Sequence, residues 1–120
     1  MSYDFNNIFA RILRQEIPCN KVFEDEKVLA FHDINPKAPL HILIIPKGSY
    51  INFHDFHTQA SADEITHFYA KIPEIAASQG VLDSGYRLIS NCGLNGGQEV
   101  PHYHVHLLGG GKLGAMVGNV

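Results

Sequence analysis

Three histidines alternate near the carboxyl end of this 120-residue chain, at positions 102, 104 and 106. Side chains two residues apart point to the same face of a β-strand, so a strand over 102–108 would gather the three imidazoles on one face. The residues between them are Tyr103 and Val105, which suit a core on the other face. Imidazole fills an apolar core poorly, and the pattern therefore indicates a site rather than a packing face.

The histidine face admits three interpretations. One is a half-exposed sheet face without a function. A second is a zinc site, because two histidines at i and i+2 on a strand can bind zinc and His41 on a neighbouring strand could join them. The third is nucleophilic catalysis, in which a neutral imidazole attacks phosphorus and forms a covalent intermediate. We favour the third interpretation and expect no metal and no cofactor.

A nucleophilic imidazole must be neutral and must present one nitrogen without a proton. Its other nitrogen needs an acceptor, often a backbone carbonyl, to fix the tautomer, while flanking histidines contact phosphate oxygens and move protons near neutral pH. His104 has a histidine on either side, which makes it the expected nucleophile. The preceding loop, Asn91–Val100, carries Gly93, Gly96 and Gly97. Glycines let backbone N–H groups approach an anion closely, so this loop is the expected phosphate cradle.

The elements that position these residues follow from periodicity and from helix and turn signals. Ser61 and Glu64 form a capping box that opens the main helix, and Pro73 is expected to kink or split it. The run His41–Ile45 lies between prolines and predicts a fully buried strand. The predicted fold is α+β, a mostly antiparallel five-stranded sheet with one main and one short helix. The other predicted elements are the helix Ile8–Gln15, capped by Asn6 or Asn7, the strands Lys21–Glu24, Val28–Asp33, Tyr86–Ser90 and His102–Leu108, and a glycine-rich tail over 109–120.

Length and composition bound the possibilities further. A chain of 120 residues predicts a single domain over residues 1–120. Nine basic against twelve acidic residues give a formal charge of −3, which supplies no basic field for nucleic acid. No run approaches the roughly 20 apolar residues of a membrane span, and the N-terminus lacks a signal-peptide pattern. We expect a cytoplasmic protein with free thiols at Cys19 and Cys92 and with His54, His57 and His67 at the surface.

The segment His102–Leu108 resembles the signature of the histidine-triad (HIT) family, in which three alternating histidines are followed by two apolar residues. The similarity covers most of the chain and points to the Hint branch, the purine nucleoside phosphoramidases. The segments that carry it, in chain order, are 8–18, 29–34, 39–47 and 91–110.

The resemblance implies a fold, an activity and a partner. The fold is HIT-like, and two copies join their five-stranded sheets into one of ten strands in a homodimer. The activity is hydrolysis of purine nucleoside 5′-phosphoramidates or acyl-nucleotides through a nucleotidyl-histidine, which releases a nucleoside monophosphate such as AMP or GMP. Two alternatives stay open, a dinucleoside polyphosphate hydrolase of the same family and a nucleotide- or zinc-binding partner protein.

The resemblance also implies roles for individual residues. His104 is the nucleophile, and His41, His102 and His106 orient it, bind phosphate oxygens and relay protons. Glu99 departs from the serine that many eukaryotic relatives carry near the leaving group, and a carboxylate there favours a cationic amine. The residues on the phosphate side are Asn91, Gly97, Glu99 and Val100. Those on the nucleoside side are Asp33 for the ribose hydroxyls, the purine slot of Ile8, Phe9, Ile12, Phe31 and Ile34, and His32 beside that slot.

Overall fold

The computed structural model describes residues 2–118. In chain order the elements are α1 Ile8–Leu13, β1 Lys21–Glu24, β2 Val28–His32, β3 Leu40–Pro46, α2 Phe53–Gln59, α3 Ala62–Ser78, β4 Tyr86–Ile89 and β5 Val105–Gly109. The five strands form one sheet in the order β1-β2-β3-β5-β4, and every neighbouring pair is antiparallel. The α+β class and the five-stranded antiparallel sheet predicted from the sequence are confirmed.

The central strand β3 is buried on both of its faces. Because side chains alternate along a strand, Ile42 faces a cluster that includes residues of α2 and α3. Leu43 faces a second cluster, which includes Phe9 of α1. The buried strand predicted over 41–45 is confirmed. His41 lies on the same face as Leu43, so the candidate chemistry belongs to the α1 side of the sheet.

Helix α3 begins as the sequence predicts but is not divided. The Ser61 side chain accepts a hydrogen bond from the Glu64 backbone N–H at 3.1 Å, which confirms the capping box. The helix then continues through Pro73 to Ser78, so the expected split is wrong. Pro73 lies on the exposed side of the helix, where its ring meets solvent instead of a packed neighbour.

Helix α2 was not predicted, because its sequence reads as a polar connection. The Asn52 side chain caps its first turn, and Phe56 is fully buried in the core. His57, predicted at the surface, is half-buried. Its Nδ1 lies 2.7 Å from the Phe53 carbonyl oxygen, and its Nε2 lies 3.1 Å from the Tyr69 hydroxyl. The sequence signals that could have predicted α2 were Asn52, a residue that can cap a helix, and the apolar Phe56.

Two boundaries differ from the prediction for a local reason. Helix α1 is capped by Asn7, whose Oδ1 accepts the Ala10 N–H at 2.9 Å, but it ends at Leu13 rather than Gln15. Gln15 has a φ of +65°, a left-handed conformation that ends a helix. Strand β2 ends at His32 rather than Asp33 because the Asp33 carboxylate turns to accept the backbone N–H of Asn35 at 2.8 Å.

The last strand starts later than predicted. β5 begins at Val105, so His102 and His104 precede the paired region instead of lying within it. At this end the carbonyl oxygens of Pro46 and His102 lie at 2.8 and 2.7 Å from imidazole nitrogens, which replace ladder hydrogen bonds. β5 also includes Gly109, which was predicted to open the tail. Residues 119–120 of that predicted tail lie outside the described residues.

Other expectations concern surface residues. His54 is exposed, and His67 pairs with Asp25 at 2.7 Å. Cys19 and Cys92 are free thiols. Within residues 2–118, none of the helices is long and apolar enough to cross a membrane.

Candidate active site

A cavity of about 390 Å³ opens on the α1 side of the sheet, beside the histidines. Its walls come from α1, from the loop that precedes β3, from the strands β3, β4 and β5, and from the glycine-rich loop. The lining residues are Phe9, Asp33, Asn35, Lys37, His41, Leu43, Ile89, Asn91, Gly97, Glu99, Val100, His104, His106 and Leu108.

The intervening residues of the histidine segment face away from this cavity, as predicted. Tyr103 is buried and stacks on Phe56 with ring centroids 5.0 Å apart. Its hydroxyl lies 2.7 Å from the Tyr69 hydroxyl. The apolar side of the segment is thereby fixed in the core, and the opposite side is left to the imidazoles.

His104 is held in one neutral tautomer. Its Nδ1 lies 2.7 Å from the carbonyl oxygen of His102. Because a carbonyl oxygen only accepts hydrogen bonds, Nδ1 must carry the proton, and Nε2 of the neutral ring is left with a free lone pair. Burial lowers the pKa of His104, against the opposing effects of the His102 carbonyl and of the carboxylates of Asp33 and Glu99. The ring is therefore neutral near pH 7.

A second pair of imidazoles lies next to His104. The backbone N–H of Lys37 donates to Nδ1 of His41 at 2.9 Å, which leaves the proton of neutral His41 on Nε2. That nitrogen lies 2.9 Å from Nδ1 of His106, so His41 donates and His106 accepts. The remaining proton of His106 is consequently on Nε2. The ring centroids of His104 and His106 are 5.0 Å apart.

The same pair is also kept neutral by its surroundings. Burial lowers the pKa of His41. Burial, and then the neighbouring His104 and His41, lower the pKa of His106 to about 4. An Asp33 carboxylate oxygen lies 3.5 Å from Nε2 of His41, and its negative charge acts to raise the pKa of both rings. Asp33 thus places an anion next to His41, which favours the protonated form of that ring.

His102 differs from the other three histidines because it does not line the cavity. It has no exposed surface, and its Nε2 donates to the Pro46 carbonyl oxygen at 2.8 Å. Its Nδ1 accepts from the hydroxyl of Tyr3 at 2.6 Å. Both ring nitrogens are occupied within the protein, so the His102 ring has no nitrogen free for phosphate oxygens, contrary to the contact that the resemblance implied.

All four residues expected on the phosphate side line the cavity. The glycine-rich loop turns at Gly97, whose φ is +76°. The amide of Gln98 ties this loop down, since its Nε2 donates to the Ile51 carbonyl at 2.7 Å and its Oε1 accepts the Gly93 N–H at 3.0 Å. Sequence reasoning missed Gln98, although an amide inside a glycine-rich loop was an available signal. The four predicted residues are Asn91, Gly97, Glu99 and Val100.

The residues expected on the nucleoside side are only partly gathered at the cavity. Asp33 and Phe9 line it, while Phe31 and Ile12 pack in the apolar cluster beneath. Ile8 and Ile34 are 42% and 87% exposed, and His32 is half-buried outside the lining. Lining residues that sequence reasoning missed are Asn35, Lys37, Leu43, Ile89 and Leu108. Their spacing carries no signal, because they come from four separate parts of the chain.

One cluster at the cavity has the composition of a metal site. Asp33, His41 and His106 each offer a ligand atom, and these atoms lie within 4.8 Å of one another. Carboxylate and imidazole ligands suit zinc. A metal ion bound there would have to replace the hydrogen bond between His41 and His106, so the zinc interpretation and proton transfer through this pair exclude each other.

The lowered pKa values predict how stability depends on pH. A histidine of the unfolded chain titrates near 6.5, whereas His102 and His106 titrate near 4 when folded. Between these values the unfolded chain binds protons that the folded chain does not. The free energy of unfolding should therefore fall as the pH drops from about 6.5 to about 4, by at most about 1.4 kcal/mol per pH unit for each histidine.

Chemical denaturation at a series of pH values measures this slope. His106→Asn should flatten the slope relative to the wild type, whereas His54→Asn, a change at an exposed histidine of α2, should leave it unaltered. Equal slopes for the wild type and His106→Asn would show that His106 is not held neutral by the fold.

Comparison with known proteins identifies the family. A HIT domain matches residues 14–113. A HIT-like protein of 13.2 kDa from Azospirillum brasilense is 53% identical over 116 residues, which cover 97% of this chain and 95% of that protein. The purine nucleoside phosphoramidase of Escherichia coli K12 is 47% identical over 113 residues, or 92% of each chain.

Solved structures share the fold. A histidine triad protein from Clostridium difficile superimposes with a TM-score of 0.86 at 44% identity, covering 98% of this chain and all of that one. A HIT family hydrolase from Legionella pneumophila gives a TM-score of 0.87 at 40% identity, covering 94% of this chain and all of that one. The resemblance carried by the alternating histidines thus extends to sequence and fold over nearly the whole chain, which belongs to the HIT family.

Proposed function

We propose that this protein is a nucleotide hydrolase that cleaves the P–N bond of purine nucleoside 5′-phosphoramidates, or the corresponding bond of acyl-nucleotides. The observation that carries the proposal is the buried, neutral His104, whose Nδ1 proton is held by the His102 carbonyl oxygen at 2.7 Å. That bond leaves Nε2 as a nucleophile in a cavity that Lys37, Asn91 and Gly97 also line. The printed name of the Escherichia coli relative, a purine nucleoside phosphoramidase, supports the substrate class.

In the first step Nε2 of His104 attacks the α-phosphorus, and the new N–P bond forms as the bond to the leaving amine breaks. The electron pair of the broken bond leaves with the amine, which takes up one proton. The histidine retains its Nδ1 proton and carries a positive charge that the His102 carbonyl oxygen stabilises. The product of this step is a nucleotidyl-histidine.

In the second step water attacks the same phosphorus and displaces His104, which returns to its neutral form. The water gives up one proton, which balances the proton taken up by the amine. His106 lies beside His104 and hydrogen-bonds to His41, so this pair can carry a proton between the two steps, with Asp33 nearby to stabilise the charge. The released product is a nucleoside monophosphate such as AMP or GMP.

The two sides of the cavity bind different parts of the substrate, the phosphate on one side and the nucleoside on the other. The N–H groups of Gly97 and Gln98 donate to carbonyl oxygens within the glycine-rich loop, at 3.0 and 3.1 Å. The donors that meet the phosphate oxygens are therefore the side-chain amide of Asn91 and the backbone N–H of Glu99, as anions require donors. The Asp33 carboxylate accepts hydrogen bonds from ribose hydroxyls. Phe9 contributes apolar surface for the purine, and Phe31 supports it with ring centroids 5.7 Å apart.

We also propose that the protein works as a homodimer in the cytoplasm. β4 is an edge strand and carries Leu88, which is 46% exposed. An exposed apolar residue on an unpaired strand edge favours association with another sheet. The free thiols Cys19 and Cys92 agree with a reducing compartment.

The function is tested by turnover of adenosine 5′-phosphoramidate in excess EDTA. The wild type should release AMP, and His104→Ala should reduce kcat by at least about 1,000-fold because the nucleophile is lost. His54→Ala, at an exposed histidine, should be as active as the wild type. A diadenosine polyphosphate, assayed in parallel, tests the alternative hydrolase.

Absence of turnover by the wild type, or turnover that the chelator abolishes, would contradict the proposal. Faster turnover of the diadenosine polyphosphate would favour the alternative activity. A nucleotidyl adduct trapped on a histidine other than His104 would overturn the assigned role while preserving the reaction class.

The negative charge of Glu99 leads us to expect a preference between leaving groups. It is exposed at the cavity and contributes a negative charge beside His104, so it should favour a lysyl-type amine over an uncharged one. Glu99→Ser should reduce the ratio of kcat/KM for these two classes of substrate by about 2- to 5-fold, the size expected of an exposed charge pair. Glu74→Ser, on the exposed side of α3, is the matched control. An unchanged ratio in Glu99→Ser would remove Glu99 from leaving-group recognition.

A further inference from the structure

The side chain of Tyr3 joins the N-terminal segment to His102. Tyr3 lies 99 residues from His102 in sequence, yet its hydroxyl oxygen is 2.6 Å from Nδ1 of that ring. The two rings pack edge to face, with centroids 5.7 Å apart. Neither residue lines the cavity, so this contact is not part of the binding surface.

The direction of this hydrogen bond follows from the other nitrogen of His102. Nε2 lies 2.8 Å from the Pro46 carbonyl oxygen, which can only accept, so the single proton of neutral His102 is on Nε2. Nδ1 therefore has a free lone pair, and the Tyr3 hydroxyl must donate to it. His102 has no exposed surface, and without Tyr3 this lone pair would be buried without a partner.

What His102 offers to His104 is its backbone carbonyl. The position of that carbonyl determines which nitrogen of His104 holds the proton. A His102 ring fixed at both nitrogens restrains the residue that carries the carbonyl. Phe9 adds to this packing, since its ring meets His102 at 6.2 Å and His104 at 5.0 Å between centroids.

We propose that Tyr3 is a positioning residue for the reaction: its hydroxyl fixes His102, and through the His102 carbonyl it holds His104 in the nucleophilic tautomer. The inference rests on the proposed function, and it adds a residue from outside the cavity. Tyr3 itself touches neither the cavity nor His104, so it acts only through His102.

The groups around His102 determine its response to pH. The hydroxyl of Tyr3 faces it from the N-terminal segment, the Pro46 carbonyl from β3, the uncharged ring of Phe9 from α1, and His104 from its own segment.

The charged groups that act on Tyr3 are Asp4 and Arg14, and its polar partners include Asn7 and Ser49. Burial lowers the pKa of His102 to about 4 and raises that of Tyr3, so at neutral pH the ring is neutral and the hydroxyl keeps its proton.

A hydrogen bond to the neutral form of a histidine disfavours protonation. Tyr3→Phe removes only the hydroxyl and should raise the pKa of His102 by about half to one unit. NMR titration of the imidazole nitrogens measures this shift directly. The kcat for adenosine 5′-phosphoramidate should fall about 3- to 10-fold, with KM within about twofold of the wild type because Tyr3 does not line the cavity.

Tyr50→Phe is the matched control, because its hydroxyl donates to the Glu64 carboxylate at 3.0 Å and contacts none of the cavity histidines in the described part of the chain. It should leave the His102 titration and kcat unchanged. An unaltered His102 titration in Tyr3→Phe would overturn the hydrogen bond. A shifted titration with an unaltered kcat would overturn the positioning role.

The spectroscopic result does not depend on turnover, so it separates this inference from the proposed function. If the wild type hydrolyses no phosphoramidate, the function fails, and with it the role of Tyr3 in the reaction. The hydrogen bond can also be tested without any variant. In the wild type, the Nδ1 resonance of His102 should be that of an unprotonated nitrogen that accepts a hydrogen bond, and a protonated Nδ1 would contradict the contact.

Discussion

The hydrogen bond between Nδ1 of His104 and the carbonyl oxygen of His102 determines what the site can do. At 2.7 Å it places the proton on Nδ1 and leaves the lone pair of Nε2 available at the cavity. The opposite tautomer would present an N–H donor, which can bind a phosphate oxygen but cannot attack phosphorus. The His102 carbonyl is free to accept the hydrogen bond from the His104 Nδ1–H because β5 begins only at Val105, so that His102 lies outside the strand ladder.

Burial and hydrogen bonding act together on the four histidines. Desolvation disfavours the charged form of imidazole, which keeps His41, His102, His104 and His106 neutral near pH 7. A neutral ring has one donor and one acceptor. Both are satisfied within the protein in His41 and His102, whereas only Nδ1 of His104 has a protein partner and its Nε2 is left to the cavity. The partners are largely backbone groups in loops or near strand ends, such as the N–H of Lys37 and the carbonyl of Pro46. The fold therefore specifies tautomers as well as positions.

Much of this arrangement could be predicted from local pattern. The alternation of His102, His104 and His106 indicated the candidate site, although His102 does not line the cavity. The apolar run of β3 predicted a strand buried on both faces. Patterns of this kind are repeated along one element and can be read without a partner. It was also predictable that the residues expected on the phosphate side would line the same cavity, since the glycine-rich loop adjoins the histidines in sequence.

The features that could not be predicted from the sequence depend on contacts between distant segments of the chain. No periodicity shows that β5 starts at Val105, because the reason lies in imidazoles that take up the carbonyls of Pro46 and His102. Lys37 contributes to the site through its backbone N–H, which every residue except proline carries. Tyr3 and His102 meet across 99 residues. The short helix α2 was missed because its polar surface outweighs one buried residue, Phe56.

The tautomer of His104 can be observed by long-range proton–nitrogen NMR of the imidazole rings. At pH 7 and without ligand, His104 should be neutral, with its proton on Nδ1 and an unprotonated Nε2. A proton on Nε2, or a doubly protonated ring at this pH, would rule out His104 as the nucleophile, because neither form presents a nucleophilic nitrogen to the cavity.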